Sequence, residues 1–224
     1  MKILAADTAL GACSVAVLEN GKLRAHAFEL MPRGHAEALA PMVERVMREA
    51  GLEFRALERL GVTTGPGTFT GQRVGLAFMR GLALTLKRPL VGVTTLDVMA
   101  EEALEKTGAS FAVACADARR GEIYLGARNR EGTAIEPDVV ALGDAAMRVA
   151  QAAKSTDVIA LAGTATEMFA PVLATRGLKT RDSGVRQPDA VFVARLTMRE
   201  AEPKDAPAPL YLRAPDAKLP GTVT

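Results

Sequence analysis

The chain is poor in the residues on which several functional classes depend. It has no Trp, two Tyr, two Cys and two His among 224 residues. So few aromatic rings leave little material for stacking nucleic-acid bases. Cys13 and Cys115 lie far apart in apolar runs, which indicates buried thiols in a reducing compartment rather than a disulfide framework. No apolar run has the length of a membrane span and the first residues lack a signal-peptide pattern, so we expect a cytoplasmic protein without membrane contact.

Charge is also nearly balanced. The chain has 28 Lys and Arg against 26 Asp and Glu, for a formal net charge of +2. Such a balance creates no large field that would recruit nucleic acid or an anionic membrane. The length allows one large domain or two small ones with a real core.

The chain lacks the residues on which metal-dependent and nucleophilic catalysis usually depend. Metal hydrolysis needs clustered His, Asp or Glu ligands and an activated water. The two histidines are His26 and His35, no His-Glu-x-x-His is present, and Leu39 stands one helical turn after His35. No Gly-x-Ser-x-Gly elbow occurs either. We therefore predict no metal site and no catalytic residue, and a metallopeptidase is the weaker of the alternatives.

The most distinctive stretch is a glycine-rich segment, residues 65–75, with the sequence Gly-Pro-Gly-Thr-Phe-Thr-Gly-Gln-Arg-Val-Gly. A short apolar strand at residues 60–64 precedes it, and apolar residues at helical spacing follow it to about Lys87. The segment fits neither a P-loop, because Gln72-Arg73 follows Gly71, nor a dinucleotide fingerprint. Its glycines permit a phosphate cradle or a purely structural turn, and both remain open.

The order of predicted elements indicates two related halves. The first half reads as three strands, a helix at residues 35–50, and then alternating strands and helices, which is typical of an α/β domain with a mixed sheet. The second half repeats the opening with an offset of about 110 residues, from Asp7 and Gly11 to Asp117 and Gly121. Asp7 and Asp117 each end a strand, where they could act as paired carboxylates or cap the following turn. We expect the proline-rich tail, with Pro203, Pro207, Pro209 and Pro215, to lie extended.

Read as a string, the glycine-rich segment closely resembles the signature of the TsaB (YeaZ) family, Gly-Pro-Gly-Ser-Phe-Thr-Gly-Leu-Arg, with Thr68 for Ser and Gln72 for Leu. Three further stretches agree in order along the chain. They are Ala5-Ala6-Asp7-Thr8, Asp117-Ala118-Arg119-Arg120-Gly121-Glu122-Ile123-Tyr124 and Pro209-Leu210-Tyr211-Leu212-Arg213.

The resemblance implies an α/β fold of two related halves of the actin/Hsp70/sugar-kinase type (ASKHA, ribonuclease H-like), each a mixed sheet with flanking helices. We divide the chain at residues 1–105, with partner-binding helices, and 106–224, with the proline-rich tail. The sequence departs from active ATPases of that superfamily. Their phosphate loops carry a glycine two residues after the Asp, which is missing after Asp7 and Asp117, and their adenosine-contacting Gly-Gly pair is reduced to Ala162-Gly163.

By resemblance, the function is that of a non-catalytic subunit in synthesis of N6-threonylcarbamoyladenosine at position 37 of tRNA. The implied partners are a TsaD-like transferase subunit in a heterodimer, a TsaE-like ATPase, tRNA indirectly, and a second copy of the chain in isolation. No cofactor is expected on this chain alone, while ATP or ADP could lie at the interface of the complex. The main alternative is an autonomous ATPase or kinase of the same superfamily.

The resemblance also assigns site residues. It places the partner interface on the first two helices, and core packing is the alternative for their apolar positions. The residues predicted for the interface are His35, Leu39, Met42, Val43, Met47, Gln72 and Arg73. Those predicted to contact a nucleotide or a partner are Asp7, Gly65, Gly67, Thr68, Phe69, Thr70, Gly71, Asp117, Arg119 and Arg120.

Overall fold

Two five-stranded mixed sheets with the same strand order organise the protein. The computed structural model describes residues 1–153 and 156–213. The first sheet has the order β3-β2-β1-β4-β5, and the second, read from the equivalent edge, has the order β8-β7-β6-β9-β10. The strands are β1 Lys2–Asp7, β2 Ala12–Glu19, β3 Lys22–Leu30, β4 Arg59–Thr63, β5 Leu90–Val93, β6 Phe111–Arg119, β7 Glu122–Asn129, β8 Gly132–Ala141, β9 Ile159–Ala162 and β10 Thr180–Asp182.

Pairing inside the two sheets is equivalent. β1 runs antiparallel to β2 and parallel to β4, and β6 runs antiparallel to β7 and parallel to β9. Asn20-Gly21 forms the hairpin turn between β2 and β3, with φ of 52° and 77° at its two residues, as a type I′ turn requires. The structure thus confirms the predicted fold class, and the repeated strand order is the internal duplication that the sequence offset indicated.

Six helices of the described part of the chain cover the sheets. They are α1 His35–Ala50, α2 Phe69–Leu86, α3 Thr95–Thr107, α4 Leu142–Ala152, α5 Thr166–Ala174 and α6 Ala190–Arg199, and a 3₁₀ turn lies at Phe54–Ala56. One face of the first sheet packs against α1 and α2, and one face of the second against α4 and α5. The other two faces look towards each other across α3 and α6.

The last helix of each half covers the sheet of the other half. α3 follows β5 along the chain but packs against β6, β7 and β9, while α6 follows β10 and packs against β1, β2 and β4. Small residues of the second sheet (Ala112, Ala114, Ala160) allow α3 to approach closely. The predicted division at residue 105 falls inside α3 and stays a prediction.

Three local features were not predicted from the sequence. Thr94 caps α3, because its Oγ1 accepts a hydrogen bond from the Asp97 backbone N–H at 3.0 Å. α2 begins at Phe69, inside the glycine-rich segment, because Thr68 supplies its N-cap. β10 was not predicted, since its three residues, Thr180, Arg181 and Asp182, carry no apolar pattern.

The apolar stripe of α1 belongs to the core of this chain, which favours the core-packing alternative at four positions, and their part in a partner interface stays a prediction. Leu39, Met42, Val43 and Met47 are at most 3% exposed. They pack with the inward side chains of β1, β2 and β4 in one cluster. Full burial of such a side chain stabilises the fold by about 1.5–3 kcal/mol. The sheet and α2 together cover these four side chains.

In the described ranges, 1–153 and 156–213, no helix combines the length and the apolar character needed to cross a membrane. The tail from residue 200 to residue 213 has no regular secondary structure, as its prolines predict, and Pro215 lies outside the described residues.

Candidate functional site

The end of β1 places a carboxyl group in the interior. Asp7 is fully buried, and its Oδ1 accepts hydrogen bonds from the Thr63 hydroxyl at 2.5 Å and from the Ala9 N–H at 3.2 Å. Its Oδ2 has no partner among the described residues. Burial raises the pKa of Asp7 to about 7 against the lowering effect of those hydrogen bonds, and the charge of Asp189 adds slightly. The bond to Ala9 confirms that this Asp caps its own turn.

The glycine-rich segment covers that turn. The Thr68 N–H donates to the Ala9 carbonyl at 2.8 Å, and the Thr8 hydroxyl donates to the Gly71 carbonyl at 2.7 Å. A Cβ at Gly67 would lie 2.4 Å from the Ala9 carbonyl oxygen, and one at Gly71 would lie 2.2 Å from the Thr8 carbonyl oxygen. Two of its glycines therefore serve the contact between two backbones.

Some of the backbone donors at the start of α2 are used within the protein. Thr68 Oγ1 accepts from the Gly71 N–H at 3.1 Å, and the Gln72 N–H donates to the Thr68 carbonyl at 3.1 Å. The peptide bond between Gly65 and Pro66 is cis. These contacts between the segment and the β1–β2 turn favour the structural turn over the phosphate cradle.

The equivalent turn of the second half is exposed. The Asp117 side chain is 43% exposed, and its Oδ1 accepts a hydrogen bond from the Arg119 N–H at 2.7 Å. Arg119 and Arg120 both adopt left-handed backbone conformations, with φ of 65° and 58°, followed by Gly121 at 76°. Each non-glycine residue in that region costs about 1–2 kcal/mol. The turn thus displays two arginines at the cost of backbone strain.

The tail connects this turn to the start of α2. The Arg213 guanidinium contacts the Ala118 carbonyl and the Glu122 carboxylate, and the Leu210 N–H donates to the Thr64 carbonyl at 2.8 Å. Near α2, the Arg73 guanidinium lies 3.3 Å from the Phe69 ring centroid and donates to the Tyr211 hydroxyl at 3.0 Å. An exposed cation–π contact of this kind contributes about 0.5–1 kcal/mol.

Tyr211 and Arg213 are therefore site residues that the sequence assignment left out. The signal for them was available, because both lie in the stretch at residues 209–213 that contributes to the family resemblance. Phe69 and Tyr211 are 62% and 50% exposed, so their rings present apolar surface beside a cation.

The predicted residues fall into two sets. Asp7, Gly65, Gly71 and Gln72 are buried and hold the covered turn together. Gln72 is 3% exposed and packs beside Gly65, and its predicted contact with a partner stays a prediction. The exposed set is Thr68, Phe69, Thr70, Arg73, Asp117, Arg119 and Arg120, while Gly67 is half-buried.

His35, at the first position of α1, is half-buried beside a cavity of about 440 Å³ that Thr68 and Thr70 also line. Its Nε2 has no hydrogen-bond partner among the described residues. Within those same residues, no three His, Cys, Asp or Glu side chains cluster as metal ligands do. Burial raises the pKa of both Cys13 and Cys115 to about 12, which matches the buried thiols predicted from the sequence.

Comparison with known proteins identifies the family. Residues 29–218 match the family model described as "TsaD: tRNA N6-adenosine threonylcarbamoyltransferase". The chain is 43% identical over 135 residues to the tRNA threonylcarbamoyladenosine biosynthesis protein TsaB of Escherichia coli. The chain belongs to the TsaB (YeaZ) family. The alignment with E. coli TsaB covers 60% of this chain and 58% of that protein.

Solved structures agree with this family and fold. A Pseudomonas aeruginosa protein described as similar to peptidase YEAZ superposes with a TM-score of 0.81 at 31% identity, over 95% of this chain and 99% of the other. The ROK hexokinase of Thermus thermophilus superposes with a TM-score of 0.53 at 16% identity, over 89% and 99% of the two chains. The second likeness shows the fold alone, so this chain shares the architecture of that hexokinase.

Proposed function

We propose that the chain acts in the cytoplasm as a non-catalytic subunit in the biosynthesis of tRNA N6-threonylcarbamoyladenosine, where it binds and supports a TsaD-like transferase subunit. Relatives named for this pathway support the proposal. The observation that carries the non-catalytic role is the covered β1–β2 turn. Gly67 and Gly71 lie against the backbone of this turn, where the superfamily resemblance assigns a phosphate loop. The chain's own residues therefore occupy the place that a nucleotide phosphate would take.

The same observation supports our proposal for cofactors and further partners. With its first turn covered, the chain alone holds no nucleotide, and any ATP or ADP lies at an interface with the transferase subunit or with a TsaE-like ATPase. Contact with tRNA is indirect, through the transferase. An autonomous ATPase, in contrast, would need the turn to open against the hydrogen bonds of Thr8 and Thr68.

The surface that we assign to the TsaD-like partner is the outer face of α2, since the α1 stripe is buried. This outer α2 face is defined by the exposed residues Thr70, Arg73, Ala77, Gly81 and Leu84. The spacing of three or four residues puts them along one side of the helix. Leu84 is 80% exposed, and a Cβ at Gly81 would meet nothing within 4 Å. Small residues in its middle would let a partner helix approach closely.

The test is to mix the chain with the TsaD-like subunit of its own organism and to measure the mass of the complex by size-exclusion with light scattering. We expect a heterodimer for the wild type and its loss for Ala77→Arg, because the long charged side chain would stand on the outer α2 face. The matched control is Ala174→Arg on α5, another exposed helical alanine, which should leave the heterodimer intact.

Each outcome has a distinct meaning. Equal disruption by both variants, or by neither, would reject the outer α2 face as the interface. Failure of the wild type to bind the transferase subunit, with or without ATP and a TsaE-like ATPase, would reject the supporting role. The same elution profile of the chain alone tests the homodimer, and calorimetry with ATP tests the autonomous ATPase alternative.

A further inference from the structure

α2 carries positive charge and no negative charge. Its 18 residues include two Arg and neither Asp nor Glu, and Lys87 and Arg88 directly follow it. The side chains of Lys87 and Arg88 are exposed and have no hydrogen-bond or ion-pair partner among the described residues. α6 also carries arginines without acids, but Arg195 and Arg199 both pair with carboxylates. α2 therefore ends in positive charge that the described part of the chain does not neutralise.

Lys87 is held in a backbone conformation that favours glycine. It ends α2 with φ of 52° and ψ of 49°, in the left-handed region. Gly51 ends α1 and Gly108 ends α3 at the same position, with φ of 67° and 70°. Glycine adopts this conformation without strain, whereas the Cβ of lysine makes it unfavourable. The chain thus keeps a lysine side chain at the end of α2 where glycine would be more stable.

A second cavity, of about 620 Å³, lies between the end of α2 and the tail. Leu84, which is 80% exposed, and Pro203 of the tail supply apolar lining. The charged lining comprises four cations and two carboxylates, namely Arg80, Lys87, Arg88, Lys204, Glu202 and Asp205. Within the described residues, none of these cations forms an ion pair with either carboxylate. Arg80 is engaged by the tail, because its Nε donates to the Pro207 carbonyl at 3.0 Å, so three cations remain for a partner.

The cavity continues the outer α2 face. Leu84 belongs to both, and Gly81 lies one helical turn before it. A protein that covers the outer α2 face would therefore reach the cavity and take its cations out of water. A cation that is covered without a partner costs free energy, while a carboxylate placed against it offsets that cost.

We propose that the TsaD-like subunit inserts an apolar side chain flanked by carboxylates into this cavity, so that its acidic groups meet Lys87, Arg88 and Lys204. The proposal rests on the proposed function and adds the chemistry of the partner's contact surface. The apolar side chain displaces water from beside Leu84, and the carboxylates neutralise the excess positive charge. Opposite charges on the two surfaces also raise the rate of association.

The experiment measures the association rate and the Kd of the heterodimer of full-length chains, at low and at high salt. Arg88→Glu should weaken the wild-type heterodimer about tenfold or more at low salt, because it sets like charges against each other. It should also reduce the salt dependence of the association rate. Lys179→Glu is the matched control, since Lys179 is exposed in the second half and has no side-chain partner among the described residues. This control should bind as the wild type does.

Lys87→Gly separates a role in binding from a role in folding. The variant relieves the left-handed strain, so the urea midpoint of the isolated chain should rise. At the same time the Kd of the heterodimer should increase about tenfold, because a charge contact is lost. A lysine that serves only the fold would give the opposite pair of results, a lower midpoint and an unchanged Kd.

An unchanged Kd in both Lys87→Gly and Arg88→Glu, with a wild-type heterodimer that forms, would overturn the proposal and leave the proposed function standing. Failure of the wild type to form the heterodimer would instead reject the proposed function, and this proposal with it. Binding of tRNA by the chain alone, measured by fluorescence anisotropy, provides a further arm. Its loss in Arg88→Glu while the heterodimer is unaffected would assign these cations to RNA and would also overturn the proposal.

Discussion

The β1–β2 turn and the β6–β7 turn occupy equivalent places in two sheets of the same strand order, yet one is buried and the other exposed. Asp7 is fully buried, while the Asp117 side chain is 43% exposed. Both carboxylates accept a hydrogen bond from the backbone N–H two residues on. The local turn chemistry is therefore shared, and the difference in burial comes from what lies above each turn.

The segment that covers the β1–β2 turn is longer than the equivalent connection in the second half. Between β4 and α2 the chain runs through residues 64–68, and between β9 and α5 it runs through residues 163–165. The longer connection, with Gly65 and Gly67 in it and Gly71 in the first turn of the helix, reaches over the β1–β2 turn and seals it. In the second half Gly163 serves the close approach of β9 to β6, since a Cβ there would lie 2.0 Å from the Cys115 carbonyl oxygen. The shorter connection leaves the turn open.

The largest effect that distinguishes the two turns should appear in the dependence of stability on pH. The pKa of Asp7 is about 7 in the folded protein and about 4 in an unfolded chain. Between these values the folded state binds a proton that the unfolded state does not, so the free energy of unfolding falls as pH rises from about 4 to about 7 and is constant above. Over this pH interval the free energy of unfolding should fall by about 4 kcal/mol.

Urea unfolding of Asp7→Asn and of the wild type at pH 5 and pH 8 measures the contribution of Asp7 to the pH dependence of stability. The variant has no carboxyl group to titrate, so its stability relative to the wild type should rise between the two values. Asp117→Asn, at the exposed turn, is the matched control and should follow the wild type within about 0.5 kcal/mol. A wild-type difference that Asp7→Asn leaves unchanged would show that burial of this carboxyl does not set the pH response.

Sequence patterns predicted the element order and the duplication because both depend on local apolar periodicity and turn residues. α1 has the predicted bounds, residues 35–50. The site was harder to predict, because burial depends on what packs from elsewhere in the chain. The stripe of α1 looks the same in sequence whether the sheet or a partner covers it, and Leu39 and Val43 proved to be core.

Steric closure of the covered turn gives the second comparison, between Gly71→Ala and Gly121→Ala. At Gly71 the new methyl group would lie 2.2 Å from the Thr8 carbonyl oxygen, so we expect a loss of about 3 kcal/mol, at the upper end of overpacking costs. At Gly121 the new methyl group would meet no described atom within 4 Å beyond its chain neighbours. The cost there is that of alanine at φ 76°, about 1–2 kcal/mol. Urea midpoints of both variants measure the difference. Equal losses would mean that the segment yields to the methyl group and does not seal the turn tightly.

The smallest effect concerns the strain stored at the exposed turn. Arg120 and Gly121 form the two-residue loop between β6 and β7, and both have positive φ. Asparagine tolerates this conformation better than arginine, and Asn20-Gly21 forms the corresponding kind of turn between β2 and β3. Arg120→Asn should therefore raise the free energy of unfolding by about 0.5–1 kcal/mol, a part of the cost of a left-handed residue. Asn20→Arg, the reverse exchange at the other hairpin, should lower it by a similar amount. Arg120→Asn could instead destabilise the isolated chain while Asn20→Arg behaves as expected. That result would mean that contacts of the Arg120 side chain stabilise the open turn by more than its backbone strain costs.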